Sequence, residues 1–181
     1  MRGASLEGGK PMNIEQEGFV DVAQRARDLG CRVPTGLAIL PRNFESAAGK
    51  DELLHESEAP TVRILWRRAG LVEMPIEAEG ERFPQISEES FEEWVGPTVF
   101  VSAALLSENP AILSVALGII SNYLTEWFRG IPTGRRKARL DVVVEVGKRQ
   151  YRRLHYEGPV EGLEDLAAIA REVGQNERGG D

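Results

Sequence analysis

The sequence predicts an α+β fold in which a small mixed or antiparallel sheet packs against a central apolar helix and flanking amphipathic helices. Three observations support it: several segments with helical periodicity, a β-hairpin near the C-terminus, and a nearly uncharged helix before that hairpin. The 181 residues are 41% hydrophobic and 28% charged, which suits one domain with its own core. We expect this domain over residues 14–174, with a flexible extension at 1–13 and a frayed tail at 175–181.

The first third of the chain is predicted to alternate helices and strands. Residues 14–29 carry apolar side chains at helical spacing and are followed by Gly30, a favourable residue after a helix. The apolar run Leu37–Leu40 between a glycine and a proline predicts a buried strand. Residues 61–69 predict a second helix. Residues 71–76 predict a strand that their proline places at a sheet edge.

The connecting segments are less regular. Residues 42–60 and 77–94 are polar and lack steady periodicity, so we expect loops, with one helical turn at 87–94. The apolar run 99–106 fits a strand or a helix, because so short a run has no diagnostic period. A last amphipathic helix is predicted over 162–174.

Residues 109–130 are predicted to form the apolar helix. Asn109 is a favourable N-cap, Pro110 a favourable first residue, and Gly130 a favourable stop. A helix that is apolar on nearly all sides is expected to be buried in a core. A homodimer seam and a membrane contact are the alternatives, although the uncharged run is shorter than a membrane span. One narrow stripe is small or polar: Ser114, Gly118, Ser121, Asn122 and Thr125.

The hairpin is predicted over residues 139–156. A trial register that pairs Val146 with Gln150 places Asp141 opposite His155. The same register gives the hairpin one apolar and one polar side, as a half-buried sheet requires. A cross-strand polar contact is the ordinary interpretation of the Asp141–His155 pair, and a catalytic base with its orienting carboxylate is the alternative.

Charge is distributed unevenly along a chain whose net charge is −7. Residues 129–153 contain nine lysines and arginines against two acids, whereas residues 73–93 contain eight glutamates against one arginine. We expect the basic segment to engage an anionic partner, most readily a protein, with nucleic acid weakly supported and a membrane not expected. The predicted partner-binding residues are Arg135, Arg136, Lys137, Arg139, Lys148, Arg149 and Arg153.

Candidate ligand chemistry is sparse. Arg42 follows a predicted strand directly, where ligand sites often lie, and is predicted to bind a ligand. No cofactor is expected. No metal site is expected either, since the glutamates near residue 90 are interpreted as a solvated face rather than as ligands for a hard cation. The lone cysteine, Cys31, and the absence of an apolar leader predict a cytoplasmic protein.

The sequence therefore predicts a small intracellular, non-enzymatic interaction or regulatory module. Its basic hairpin face would engage the anionic partner. Two alternatives stay open. One is a small enzyme with a polar site near Arg42, Cys31 and a histidine. The other is a peripheral membrane protein that uses the apolar helix together with the basic segment.

Overall fold

A computed structural model describes residues 13–87 and 93–177 as a five-stranded mixed sheet with helices on both faces. The strands are β1 (Asn13–Phe19), β2 (Leu37–Leu40), β3 (Glu93–Val101), β4 (Lys137–Gly147) and β5 (Gln150–Gly158). The helices are α1 (Val22–Asp28), α2 (Ala59–Arg68), α3 (Ala103–Glu108), α4 (Ile112–Trp127) and α5 (Leu163–Asn176). The sheet order is β1-β5-β4-β3-β2, with β3 and β4 parallel and the other neighbours antiparallel. The predicted α+β fold is confirmed.

Three of the sequence predictions concern segments that lie partly or wholly outside residues 13–87 and 93–177. The extension predicted at 1–13 lies outside them except for Asn13, which begins β1. At the other end α5 continues to Asn176, so only part of the predicted tail is described. The helical turn predicted at 87–94 also lies mostly outside, although Glu93 already belongs to β3.

The parallel pair of strands is joined by two consecutive helices, α3 and α4. The ambiguous run 99–106 contributes to both kinds of structure, because β3 ends at Val101 and Ser102 starts α3 by accepting the Leu105 N–H at 3.2 Å. Asn109 does not cap α4 as predicted. It ends α3 instead, with its N–H donated to the Leu105 carbonyl at 2.8 Å, and α4 begins only at Ile112.

The apolar helix α4 lies in the layer that covers one face of the sheet, where it contacts α5 and α2. The indole N–H of Trp66 in α2 donates to the carbonyl of Ala116 in α4 at 3.1 Å. The predicted burial is achieved within this chain on one side of α4. On the other side Ser114, Asn122 and Thr125 of the polar stripe are exposed, and so is Val115 at 45%. The buried side chains of α4 are Ile112, Leu113, Ala116, Leu117, Ile120 and Leu124.

The opposite face of the sheet is covered over part of its area. There α1 and the segment 43–54 pack against Leu40, Phe100 and Val143, and form a second apolar cluster. Both faces of β2 are therefore buried, which explains why its sequence is apolar without alternation. Farther along this face the side chains from β4 and β5 are polar, and they line the cleft described below.

The helix predicted over 14–29 is wrong in its first half. Residues 13–19 form β1, which pairs residue by residue with β5, and the helix starts only at Val22 after Asp21 accepts the Gln24 N–H at 3.0 Å. The non-local pairing supplies backbone hydrogen bonds that a local periodicity argument does not include.

The strand predicted over 71–76 is also wrong. This segment makes one isolated bridge, between Glu73 and Leu37, and the Met74 N–H donates to the Leu37 carbonyl at 2.7 Å. Pro75 has no N–H, which stops the ladder after that point.

The register of the hairpin is confirmed beyond its turn, since Asp141 pairs with His155 as the trial register requires. The turn itself differs: an irregularity after Glu145 leaves Gly147, and not Val146, opposite Gln150. Such a bulge adds one residue to a strand without shifting the pairing before it.

Candidate functional site

The polar part of the second sheet face contains a cleft of about 200 Å³, which we call the Arg42 cleft. Residues from three strands and from two loop positions meet there. The lining residues are Arg42, Glu56, Val95, Gly96, Thr98, Arg139, Leu140, Asp141 and His155. Three features that the sequence suggested separately, namely Arg42, Arg139 and the Asp141–His155 pair, are therefore brought together.

Strand ends and one strand irregularity position these groups. Arg42 follows β2 by two residues, and its backbone N–H donates to the Leu54 carbonyl at 2.8 Å, which fixes the start of the loop. On the neighbouring strand the pairing of β3 with β4 shifts between Val95 and Thr98, where the chain reads Gly96-Pro97. The shift opens the sheet surface beside Asp141.

His155 has a carboxylate on each ring nitrogen. Its Nδ1 lies 2.5 Å from Oδ1 of Asp141, and its Nε2 lies 3.3 Å from Oε1 of Glu157. Both ring nitrogens of His155 therefore already face a carboxylate of this chain. The cross-strand polar contact between Asp141 and His155 that the register predicts is therefore present, with Glu157 as a second neighbour of the ring.

The neighbouring carboxyl groups respond to opposite influences. Burial tends to raise the pKa of Glu157, but the hydrogen bond from His155 and the charges of Arg139 and Lys137 outweigh it and hold that pKa below its ordinary value. For Glu45, burial and the nearby charge of Asp141 both raise the pKa. The polar part of the second sheet face therefore carries both cations and carboxylates close to one another.

The predicted basic face of the hairpin is largely neutralised by glutamates. Arg139 pairs with Glu93 at 3.1 Å and with Glu157 at 2.9 Å, and Lys137 lies within 4.0 Å of the same two carboxylates. Arg153 pairs with Glu17 and Glu45, and Arg152 pairs with Glu177. A continuous basic surface along the hairpin is thus replaced by ion pairs.

The remaining predicted basic residues lie at the two ends of β4. Lys148 and Arg149 are exposed at the hairpin turn, and no described residue forms an ion pair with either. Arg135 and Arg136 precede β4, and Nε of Arg136 donates to the Ile131 carbonyl at 2.8 Å. Because β4 has 11 residues, the two ends are about 35 Å apart at ~3.3 Å per residue.

Cys31 lies apart from the Arg42 cleft and is not among its lining residues. Burial raises the pKa of the Cys31 thiol, an effect that the charge of Lys50 only partly offsets. Because the pKa of the Cys31 thiol is raised, a smaller fraction of this side chain is thiolate at neutral pH. The structure therefore joins Arg42 to a histidine, His155, but not to Cys31, so the site named in the enzyme alternative is brought together only in part.

Sequence reasoning missed a second group of polar residues. His55 and Glu77, both on predicted loops, are buried and face each other with 2.6 Å between Nε2 and Oε1. Arg63 on α2 completes this group. The sequence hints at this group only through the position of Arg63 on a predicted helix. No local pattern indicates that the loops of His55 and Glu77, which are 22 residues apart, meet beside that helix.

Gly96 is a point where the cleft and the core meet. A Cβ at this position would lie 2.4 Å from the Trp94 ring and 2.7 Å from Leu140. We therefore expect Gly96→Ala to lower the free energy of unfolding by about 1–3 kcal/mol through overpacking. Urea unfolding measures this, with Gly18→Ala as the control because a Cβ at Gly18 meets nothing within 4 Å. Equal stability of the two variants would show that Trp94 and Leu140 yield without cost, contrary to this expectation.

Among the residues that the structure describes, no group of three or more histidine, cysteine or acidic side chains could hold a metal ion. None of the described helices combines the length and hydropathy that crossing a bilayer requires. Comparison with known proteins finds no matching family model, no matching curated protein and no matching solved structure.

Proposed function

We propose that this chain is a non-enzymatic binding module that recognises a carboxylate group of an acidic partner protein in the Arg42 cleft. The observation that carries the proposal is the convergence of two arginines, Arg42 and Arg139, on one cleft of about 200 Å³. The two acids that also line it are already engaged, Glu56 with Arg42 and Asp141 with His155. That volume suits one acidic side chain and not a bulky ligand. An arginine fork is also well matched to a carboxylate.

Binding would proceed by exchange of ion-pair partners. The Nε of Arg42 lies 3.5 Å from Glu56, and the Arg42 side chain is 42% exposed. Exposed pairs of this kind contribute only about 0–1 kcal/mol, so replacing Glu56 by a partner carboxylate costs little. The buried groups of the sheet need not move for this exchange.

The surrounding charges favour an isolated carboxylate over a long polyanion. Glu17, Glu45, Glu93 and Glu157 lie on the same face as the cations of the hairpin. Nucleic acid and anionic membranes present closely spaced phosphates, which these glutamates would repel. A short acidic segment of a protein can place one carboxylate in the cleft and keep the rest clear of the acidic neighbours.

We expect Arg42→Ala to weaken binding of a short glutamate-rich peptide by about tenfold or more, because a charge-assisted hydrogen bond is lost. Glu56→Gln removes the competing carboxylate and is expected to strengthen binding by about threefold. Fluorescence anisotropy with a labelled peptide measures both effects, and the same peptide with glutamine in place of glutamate is expected not to bind.

Arg149→Ala is the matched control, since Arg149 is exposed at the hairpin turn and far from the cleft. It should leave peptide affinity unchanged. A loss of affinity in Arg149→Ala equal to that in Arg42→Ala, or peptide affinity that is insensitive to Arg42, would overturn the proposed site.

A further inference from the structure

A second cleft, of about 730 Å³, lies between α2 and the segment 73–85. It is separate from the Arg42 cleft and shares no lining residue with it. Exposed arginines and apolar side chains form the rim and walls of this cleft. A group of buried ionic side chains forms its floor. The size is within the range of small-molecule sites.

The floor of this cleft is an ordered ionic cluster. Arg63 donates from Nη2 to both carboxylate oxygens of Glu77, at 2.8 and 3.0 Å, and from Nε to Glu73 at 3.0 Å. His55 closes the cluster from the other side through its Nε2. His55 and Glu77 are 3% and 5% exposed, so the charges of the floor are compensated inside the protein.

One polar atom in this floor has no partner among the described residues. Nδ1 of His55 is buried, lies in a residue that lines the cleft, and makes no hydrogen bond to any of them. Buried polar side-chain atoms are nearly always hydrogen-bonded, so the unpartnered Nδ1 sets the His55 side chain apart from the rest of the cluster. The atom itself is closed to solvent, and His55 meets the cleft through another part of its residue.

The rim of the cleft supplies positive charge. Arg32, Arg67 and Arg82 are exposed, line the cleft, and form no ion pair with a residue in the described ranges. Two acidic residues lie beside them: Glu81, which is held by Lys50 at 2.7 Å, and the exposed Glu79. Apolar surface lies within the same cleft at Ile64, which is 45% exposed, and at Phe83.

We propose that this cleft binds a small organic anion. The anionic group would lie between the rim arginines, and the apolar body would contact Ile64 and Phe83, close to the ring of His55. This proposal does not depend on the proposed recognition of acidic proteins, because the two clefts have no residue in common.

The test is a titration of the full chain with benzoate, phenyl phosphate and benzyl alcohol, followed by calorimetry and by the NMR signals of the His55 ring. Ligands of this size are expected to bind with Kd in the millimolar range. Both anions should bind and shift the His55 signals, and the neutral alcohol should not. The relative affinity of benzoate and phenyl phosphate distinguishes a carboxylate site from a phosphate site.

Arg67→Ala and Arg82→Ala are each expected to weaken anion binding about tenfold. Both residues are exposed, so neither change should unfold the protein. Arg68→Ala is the matched control, since Arg68 is an exposed neighbour on α2 that does not line the cleft. Arg42→Ala should also have no effect, which separates this test from the test of the Arg42 cleft.

Three results would overturn the proposal. One is the absence of saturable binding by either anion. The second is equal binding of benzyl alcohol, which would show a non-specific apolar contact. The third is anion binding that is unchanged in both rim variants, which would place the anion elsewhere on the protein.

Discussion

Replacing Arg63 by methionine is expected to lower the free energy of unfolding by about 3–5 kcal/mol at pH 7. Arg63 is the cation between Glu73 and Glu77, and Glu77 is 5% exposed. Methionine keeps much of the length of the side chain but removes every N–H donor. The loss leaves Glu77 with only His55 to compensate a buried charge.

The same cluster predicts how stability depends on pH. The pKa of Glu77 is lowered from 4.5 to about 2, because the hydrogen bonds and charges of His55 and Arg63 outweigh the burial that would raise it. A carboxyl whose folded pKa is depressed contributes stability that is complete above its unfolded pKa. That contribution is lost as pH falls from about 4.5 through about 2.

Glu73 opposes this trend in part. Burial raises the pKa of Glu73 despite the opposing charge of Arg63, so protonation of Glu73 favours the folded state.

Denaturant unfolding between pH 2 and pH 7 measures the balance between Glu77 and Glu73. The difference in free energy of unfolding between wild type and Arg63→Met should shrink toward the acid end. Arg68→Met, at an exposed position farther along α2, should change stability by less than about 0.5 kcal/mol. A constant difference between wild type and Arg63→Met at every pH would show that the Arg63–Glu77 ion pair is not the source of the loss.

Replacing Trp66 by alanine is expected to cost about 3–5 kcal/mol. Trp66 is 1% exposed, packs between α2 and the apolar helix α4, and donates to the Ala116 carbonyl at 3.1 Å. The substitution therefore creates a cavity and also removes a hydrogen bond between the two helices. Thermal and urea unfolding measure the loss.

Trp66→Phe separates these two contributions, because phenylalanine fills most of the space but has no N–H group. We expect it to cost less than half as much as Trp66→Ala. A nearly neutral Trp66→Ala would mean that α4 does not depend on α2 for its cover, contrary to the packing of the helical layer.

Local patterns predict the parts of this fold that local geometry determines. The hairpin register follows from alternation and a short turn, and it places Asp141 opposite His155 as observed. Residues 112–127 are apolar on most sides, which is sufficient to predict a buried helix. Gly30 has positive φ and directly follows the C-cap of α1 as predicted, whereas Gly130, also with positive φ, lies three residues beyond the end of α4 at Trp127.

Features that depend on distant parts of the chain escape such patterns. The first strand exists because β5 pairs with it, and the periodicity of residues 14–29 does not contain that information. The partners of Arg153 are Glu17 and Glu45, which lie 136 and 108 residues away along the chain. A charge map of the sequence therefore shows a basic segment, whereas the folded chain shows ion pairs.

The sequence predicts the candidate site only in pieces. Arg42 is indicated by its position after a strand, Arg139 by the charge of its segment, and His155 by the hairpin register. Their meeting in one cleft depends on the parallel pairing of β3 with β4, which no local pattern specifies. The His55–Glu77 cluster is missed for the same reason, since its two members belong to different loops.

The proposed recognition of acidic proteins is tested most directly by the arginine Nε–H NMR signals of the full chain during titration with a short glutamate-rich peptide. We expect the signals of Arg42 and Arg139 to shift in a saturable manner while that of Arg149 stays in place. Shifts confined to Arg149, or no saturable shift at Arg42, would rule out the Arg42 cleft as the binding site.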